Sequence, residues 1–287
     1  MTATVFLGTS EFAAAILARL HDSPHRPALV LSRPDAPRGR GRRLAAPPVI
    51  TLARELGLPT AQPVSVNTPE TLAEITAAGA GLAVVCAFGA LIKPPLLSAM
   101  PILNVHPSLL PRWRGAAPVE RAILAGDRHT GVSIMALTAG LDSGPVCLTR
   151  AVAIAADDDY GSLSARLQGL GGDLLVEAID TSPPFIEQPE AGVTYAEKIT
   201  PEDRRLEPAG ATATELARRV RALSPHIGAH LELGDGARLG VWSARPVDAG
   251  EGPRFIACRE GVLELLEVQP AGRRRMPAAD WARGLAR

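Results

Sequence analysis

Up to Thr181 the chain alternates short, continuous apolar runs with segments of helical period. The runs Thr4–Leu7, Ala28–Leu31, Leu82–Ala87 and Ile102–His106 predict strands. The third, LAVVCA, has no polar face, the pattern of a strand covered on both sides. Glu11–Leu20, Val49–Leu56, Pro69–Ala78 and Ala117–Ala125 predict helices; Ser10 can cap the first, Pro69 opens the third and Gly126 stops the fourth. Val132–Ala136 and Val146–Ile154 are β-rich, and Ser162–Ile179 is again helical. Such alternation predicts an α/β fold with a parallel or mostly parallel sheet and helices on both faces.

From Thr181 to Pro208 the pattern changes. This stretch holds five prolines and no sustained period, so it predicts a linker running over the surface. Beyond it come one helix, Thr214–Leu223, and short β-like runs at His230–Leu233, Arg238–Trp242, Phe255–Cys258 and Val262–Val268, separated by GDG, AGEGP and REG turns. A helix followed by several short strands predicts a small barrel or sandwich. No internal repeat is visible. The expected division is a domain at 1–182, a linker at 183–206 and a second domain at 207–287.

Composition narrows the choices only slightly. A length of 287 residues suits one large or two ordinary domains. With 46% hydrophobic and 21% charged residues, disorder, collagen and coiled coil are excluded. Lys+Arg 30 balances Asp+Glu 30, so any polyanionic partner must be met by a local patch. Lysine occurs only at Lys93 and Lys198, a bias that GC-rich coding explains. Aromatics at 3% are too few for broad base-stacking platforms. Cys86, Cys147 and Cys258 are far apart and form no CxxC or metal-ligand spacing, and the first residues, MTATVFLGTS, lack a basic start. The apolar stretch Ala77–Ile92 is short for a membrane span and contains three glycines. A cytoplasmic protein without metal, membrane attachment or an obligate protein partner is expected.

Several common motifs are missing. After the first strand comes Gly8-Thr9-Ser10-Glu11, with Ser10 and Ala13 where a dinucleotide fingerprint needs glycine. No GxxxxGK[ST] loop or GxSxG elbow occurs, so acyl chemistry here would need a donor that arrives already activated. The pairs His21/His25 and His226/His230 have helical spacing, but Pro24, Pro225 and Gly228 interrupt the helix a metal pair would need.

Two segments carry candidate chemistry. Ser32–Leu44, SRPDAPRGRGRRL, holds five arginines and one aspartate; it is either a solvated loop or an anion-seeking one for phosphates. Leu103–Gly144 is richer. Asn104 and His106 are two apart on a strand and share a face at its carboxyl end, where open α/β sheets place ligands. Pro107 and Pro111 stiffen the loop that follows, and Asp142 sits in the glycine-flanked turn Gly140–Gly144. An amide, an imidazole and a carboxylate suffice for acyl transfer to an amine: the first two can donate to an oxyanion and the third can help remove amine protons.

Asn104-Val105-His106-Pro107-Ser108-Leu109-Leu110-Pro111, followed by Gly140-Leu141-Asp142-Ser143-Gly144, resembles the signature of enzymes that use 10-formyltetrahydrofolate. Within that superfamily PRWRGAAP at 111–118, FLGTSEFA at 6–13, the arginine loop, VTYAEKIT at 193–200 and VQPAGRRRM at 268–276 resemble the methionyl-tRNA formyltransferase family. The resemblance implies a Rossmann-like formyltransferase domain plus a small C-terminal β-barrel of the OB type that assists tRNA binding. It implies formyl transfer to the α-amine of methionyl initiator tRNA, with 10-formyltetrahydrofolate as co-substrate and no metal or nucleotide. Asn104, His106 and Asp142 match the family's catalytic trio, with Asp142 orienting His106. Ser108, Leu109, Leu110 and Pro111 match its folate loop. Cys86, Phe88, Gly89 and Leu91 belong to the stretch that lines the pterin pocket, and Arg38, Arg40, Arg42 and Arg43 match the insertion that approaches the acceptor stem. The chain departs from the family pattern at Leu206-Glu207-Pro208 and Pro225-His226-Ile227-Gly228. A sibling enzyme formylating a ribonucleotide or amino sugar shares the trio, and a catalytically silent tRNA-binding protein shares the basic loop.

Overall fold

The fold comes from a computed structural model that describes residues 2–38, 41, 43–234 and 236–285, and of Arg38 the backbone alone. In chain order the first elements are β1 (Thr4–Gly8), α1 (Glu11–His21), β2 (Pro27–Leu31), β3 (Ala36–Arg38), β4 (Arg43–Ala45), α2 (Pro48–Glu55), β5 (Thr60–Ala61), α3 (Pro69–Ala77), β6 (Leu82–Cys86), α4 (Pro94–Ala99) and β7 (Ile102–His106). There follow β8 (Arg114–Gly115), α5 (Pro118–Ala125), β9 (His129–Ala136), β10 (Val146–Ala153), α6 (Tyr160–Thr181) and β11 (Tyr195–Ala196). The last are α7 (Ala213–Leu223), β12 (Ala229–Glu232), β13 (Arg238–Val247), β14 (Phe255–Ala257), β15 (Val262–Pro270), β16 (Met276–Pro277) and α8 (Ala278–Leu285).

The chain forms two compact units. The first takes in the chain up to Ala116, Gly131–Val152 and Ala165–Tyr195; the second takes in Ala117–Thr130, Ala153–Ser164 and the chain from Ala196 onward.

The first unit is built on a seven-stranded sheet of order β10-β9-β7-β6-β1-β2-β5. β1 runs parallel to β2 and β6, β2 to β5, and β6 to β7, whereas β9 runs antiparallel to β7. The mostly parallel sheet is therefore observed, and β7 is the strand at which direction reverses. Its core on one side gathers Val5, Leu7, Leu31, Val85, Phe88 and Leu96. α1 begins where the sequence places it: the Ser10 hydroxyl accepts the Ala13 N–H at 3.3 Å, and Phe12, Ala13, Ile16, Leu17 and Leu20 are buried. Gly8 is needed at the turn before it. A Cβ there would lie 2.7 Å from the Ala13 Cβ and 3.0 Å from the Cys86 carbonyl, so only glycine lets helix and strand approach this closely. Gly126 ends α5 in the left-handed conformation, φ +73°.

The second unit holds α7 against an antiparallel sheet of order β12-β13-β15-β14, with β16 added beside β15. α7 opens with a reciprocal cap. The Thr212 hydroxyl accepts the Glu215 N–H at 3.2 Å, and the Glu215 carboxylate accepts the Thr212 N–H at 2.7 Å. These bonds from Thr212 hold the Glu215 carboxyl below its ordinary pKa. Leu216, Val220 and Leu223 pack with Leu231, Val241 and Leu265. Register shifts around Ser243 mark a bulge in β13, which bends the sheet toward a barrel. α5 also packs on α7 in this unit, beside a two-pronged pair between Arg121 and Asp203 at 3.1 and 2.9 Å.

Three expectations need adjustment. The arginine segment, read as a loop, contains a short antiparallel pair in which Arg38 stands opposite Arg43. α4 was hidden because its six residues begin with two prolines. The tail after Val268 carries β16 and the helix α8. Among the described residues no helix is long and apolar enough to cross a membrane.

Candidate active site

β7 is buried along its whole length, so Asn104 and His106 are held in a dry strand end, 7% and 4% exposed. The loop beyond it folds back on itself. The Ser108 N–H bonds to the His106 carbonyl at 2.9 Å, and the Ser108 hydroxyl donates to the Arg112 carbonyl at 2.6 Å. Ser133, on the neighbouring β9, donates to the Ser108 carbonyl at 2.8 Å and accepts the Leu110 N–H at 3.2 Å. The loop's conformation is thus fixed by its own polar groups together with the Ser133 hydroxyl of β9.

Asp142 reaches the same place from the Gly140–Gly144 turn. Its Oδ2 accepts the Gly115 N–H at 2.8 Å and lies 3.7 Å from His106 Nδ1; its Oδ1 lies 3.5 Å from Asn104 Nδ2. The structure therefore brings Asn104, His106 and Asp142 together, from positions 38 residues apart along the chain. Asp142 has φ +44° and Trp113 φ +64°, left-handed values that cost a non-glycine residue about 1–3 kcal/mol and persist only where the surroundings enforce them. Gly115, at φ +121°, needs no Cβ-bearing alternative, and it is the residue whose N–H grips the carboxylate.

The orientation of His106 differs from the expectation. Its Nε2 lies 2.8 Å from the Trp113 carbonyl, which can only accept, so Nε2 carries the hydrogen. Trp113, not Asp142, makes the direct hydrogen bond that sets the ring. In the neutral ring Nδ1 then presents a lone pair toward Asp142, and a proton arriving between them is stabilised by both groups. The arrangement offers a neutral N–H donor at Asn104 and a shared proton position at His106 and Asp142.

Sequence reasoning missed the groups that hold this corner. Gln188 donates to the carbonyls of Asp142 and Gly144 at 2.8 and 2.7 Å and accepts from Arg114 Nε and Nη2 at 3.0 and 2.8 Å. Thr194 accepts the Trp113 N–H at 2.9 Å. The sequence signal was slight: Gln188 is one polar residue in a proline-rich stretch without period, and Thr194 stood out only as part of the VTYAEKIT motif.

The remaining predicted residues fall in different settings. Leu109, Leu110 and Pro111 are half-buried on the loop, but the Ser108 hydroxyl is fully buried and committed within it. Cys86 is completely buried at the end of β6, and burial drives its thiol pKa far upward. Phe88 is buried, whereas Gly89 and Leu91 are exposed beside a cavity of about 290 Å³ lined also by Arg33, Val64, Asn67 and Lys93. This cavity is braced by Arg33 on the Gly89 carbonyl at 2.8 Å and by Asn67, which donates to the Leu91 carbonyl and accepts the Lys93 N–H, each at 2.8 Å. Arg43 is exposed; Arg40 and Arg42 lie outside the described residues, as does the side chain of Arg38.

The second unit has a cavity of about 420 Å³ lined by Arg204, Arg205, His230, Arg238, Gly240 and Trp242. Burial, and then Arg238 and Arg204, push the His230 pKa below its ordinary value. His226 does not join it: its ring stacks on Tyr160 and its Nε2 lies 3.0 Å from Glu120.

Comparison with known proteins gives one consistent picture. The Formyl transferase family matches residues 2–179, and the Formyl transferase, C-terminal domain family matches residues 198–286. The methionyl-tRNA formyltransferase of Methylobacterium sp. (strain 4-46) is 44% identical over 98% of this chain and 95% of its own length. That of Methylococcus capsulatus is 45% identical over 96% and 95%. The crystal structure of HypX from Aquifex aeolicus in complex with tetrahydrofolic acid shares the fold, with TM-score 0.69 and 16% identity over 98% of this chain and 46% of that one.

Proposed function

The chain belongs to the methionyl-tRNA formyltransferase family, and from that premise we infer that it moves the formyl group of 10-formyltetrahydrofolate onto the α-amine of methionyl initiator tRNA. The observation that carries the residue assignment is the convergence of Asn104, His106 and Asp142 on one buried strand end. The donor supplies an already activated carbonyl. The deprotonated amine attacks it, a C–N bond forms and negative charge develops on the formyl oxygen. The Asn104 amide donates to that oxygen; one preorganised donor of this kind is worth about 2.7–4 kcal/mol. The proton released by the amine passes to the His106–Asp142 pair, with His106 Nδ1 as the open position. From there it returns to the departing folate nitrogen as the old C–N bond breaks. Acid–base help of this type contributes about 10²–10⁴-fold.

We assign donor binding and chemistry to residues 1–182 and acceptor binding to the arginine loop and residues 207–287, with 183–206 between them. Leu109, Leu110 and Pro111 and the wall at Phe88, Gly89 and Leu91 meet the folate. Ser108 and Cys86 shape that wall from inside. Arg38, Arg40, Arg42 and Arg43 meet tRNA phosphates. The test is incubation with 10-formyltetrahydrofolate and methionine-charged initiator tRNA, followed by release and analysis of the aminoacyl group. N-formylmethionine is the expected product. Formylation of an amino sugar or glycinamide ribonucleotide with none on the charged tRNA overturns the acceptor assignment.

A further inference from the structure

Gln188 lies just before Pro189, in the segment the sequence presents as a surface linker, and belongs to no helix or strand. Its side-chain amide nevertheless has every donor and acceptor engaged. Oε1 accepts from Arg114 Nε at 3.0 Å and from Nη2 at 2.8 Å. Nε2 donates to the Asp142 carbonyl at 2.8 Å and to the Gly144 carbonyl at 2.7 Å. An amide has two N–H donors and two acceptor lone pairs, so the set is complete.

These bonds connect two pieces of chain that meet at one carboxylate. One is the turn whose Asp142 stands at φ +44°; the other is Arg114-Gly115, whose glycine N–H holds Asp142 Oδ2 at 2.8 Å. Positive φ is costly for a residue with a Cβ, for aspartate less than for most, so a bond to its own peptide helps hold it there, and Gln188 ties the Asp142 carbonyl directly. The same side chain, through Arg114, fixes the donor that aims the carboxylate.

We propose that Gln188 is a positioning residue for formyl transfer: acting through Asp142, it sets the direction in which the carboxylate faces His106 and Asn104. The inference rests on the reading of Asp142 as proton acceptor. A side chain that merely pinned the loop to the surface would matter equally whether position 142 carried a carboxylate or an amide.

The experiment uses the full chain, with Gln188→Leu and Gln188→Glu each made alone and in the Asp142→Asn background. Single-turnover formylation is measured with excess enzyme, alongside steady-state constants. Glu keeps the size of the side chain and its partner Arg114 but has no N–H to give the two carbonyls, so it carries the test if the leucine variant folds poorly. Alone, each substitution is expected to lower kcat about 10–100-fold, the upper end being the cost of misplacing a reacting group by about 1 Å. KM for donor and charged tRNA should stay within about threefold. In the Asp142→Asn background the same substitutions should cost less than about threefold, because groups that act as a unit are not additive. Undiminished kcat in both single variants overturns the proposal. So does an equal loss in both backgrounds, or a loss confined to KM. Normal turnover by Asp142→Asn alone overturns the reading of Asp142 and this inference with it, whereas equal losses on an impaired Asp142→Asn enzyme overturn this inference alone.

Discussion

Two carboxylates, one in each unit, show how differently the molecule treats buried negative charge. Glu264, on β15 of the second unit, is 5% exposed and is met by Arg245 at 2.7 Å and Arg254 at 3.4 Å. Asp142, in the first, has a side chain 15% exposed and is met by a backbone N–H, a side-chain amide and an imidazole. Guanidinium does not give up its proton at any pH a protein survives, so the first arrangement is fixed. An imidazole can both take up and release a proton, and a carboxylate facing one can take part in proton exchange. The difference predicts that Glu264 serves the fold and Asp142 serves the reaction.

The largest expected effect tests the neutral side of the catalytic corner. Asn104→Ala removes an N–H donor that no cation nearby replaces in the proposed step, and kcat should fall about 10²–10³-fold. An unaffected single-turnover rate would remove Asn104 from the oxyanion position and leave Asp142 with only His106 to distinguish it from a structural carboxylate.

The second test sharpens the contrast from the side of the guanidinium groups. Where arginine meets no buried carboxylate among the described residues, as at exposed Arg43, its role is expected to be acceptor binding. Replacing Arg38, Arg40, Arg42 and Arg43 together by Ala should raise KM for charged tRNA. Its salt dependence should flatten by about two to four contacts, each worth about 0.7 on single strands or 0.9 on duplex in the logarithmic slope. KM for the formyl donor should barely change. Wild-type tRNA KM and slope in the quadruple variant would make the loop a solvated surface segment and move acceptor binding to the second unit, with Arg273, Arg274 and Arg275 next. Of these, Arg275 already lies 3.3 Å over the Trp242 ring.

The smallest effect concerns another arginine-held carboxylate. Burial raises the Asp203 pKa, but hydrogen bonds from Arg121 and Thr200 outweigh it, and the net shift is downward. A depressed folded-state pKa stabilises the fold at pH above the unfolded value, about 3.9, and that contribution is lost as pH falls through the folded value. Because Asp203 is substantially solvated, Asp203→Asn should cost only about 0.2–1 kcal/mol at neutral pH. The difference from wild type in denaturant titrations should shrink in acid. A difference that grows as pH falls would contradict the assignment of Asp203 as a fixed ion-paired group.

Much of this architecture was legible in the sequence, for reasons that also mark where it stopped. β7 was read at its observed limits because apolar Ile102, Leu103 and Val105 followed by Pro107 leave little freedom, and Ser10 announced α1 because capping is local chemistry. Asn104 and His106 share a face by strand period alone. Asp142 stood out as the carboxylate of a glycine-flanked turn, the family resemblance joined it to Asn104 and His106, and the fold then supplied the distances. Gln188 and Thr194 stayed hidden because a loop side chain that bonds to distant backbone leaves no periodic trace. The role of Trp113 was invisible for a sharper reason: its working atom is a backbone carbonyl, which every residue possesses. The setting of Cys86 was hidden for the opposite cause. It lies next to the wall in sequence, but as the last residue of a covered strand it points into the interior.

The most direct test of the contrast measures Asp142→Asn and Glu264→Gln side by side, each for single-turnover formylation and for unfolding free energy. Asp142→Asn should lose at least about 10²-fold in rate, with donor KM retained and a cooperatively folded chain. Glu264→Gln should keep its formylation rate while losing about 1–3 kcal/mol of stability as two arginines lose their shared partner. Near-normal turnover by Asp142→Asn, or a rate loss in Glu264→Gln as large as that expected for Asp142→Asn, would contradict the account.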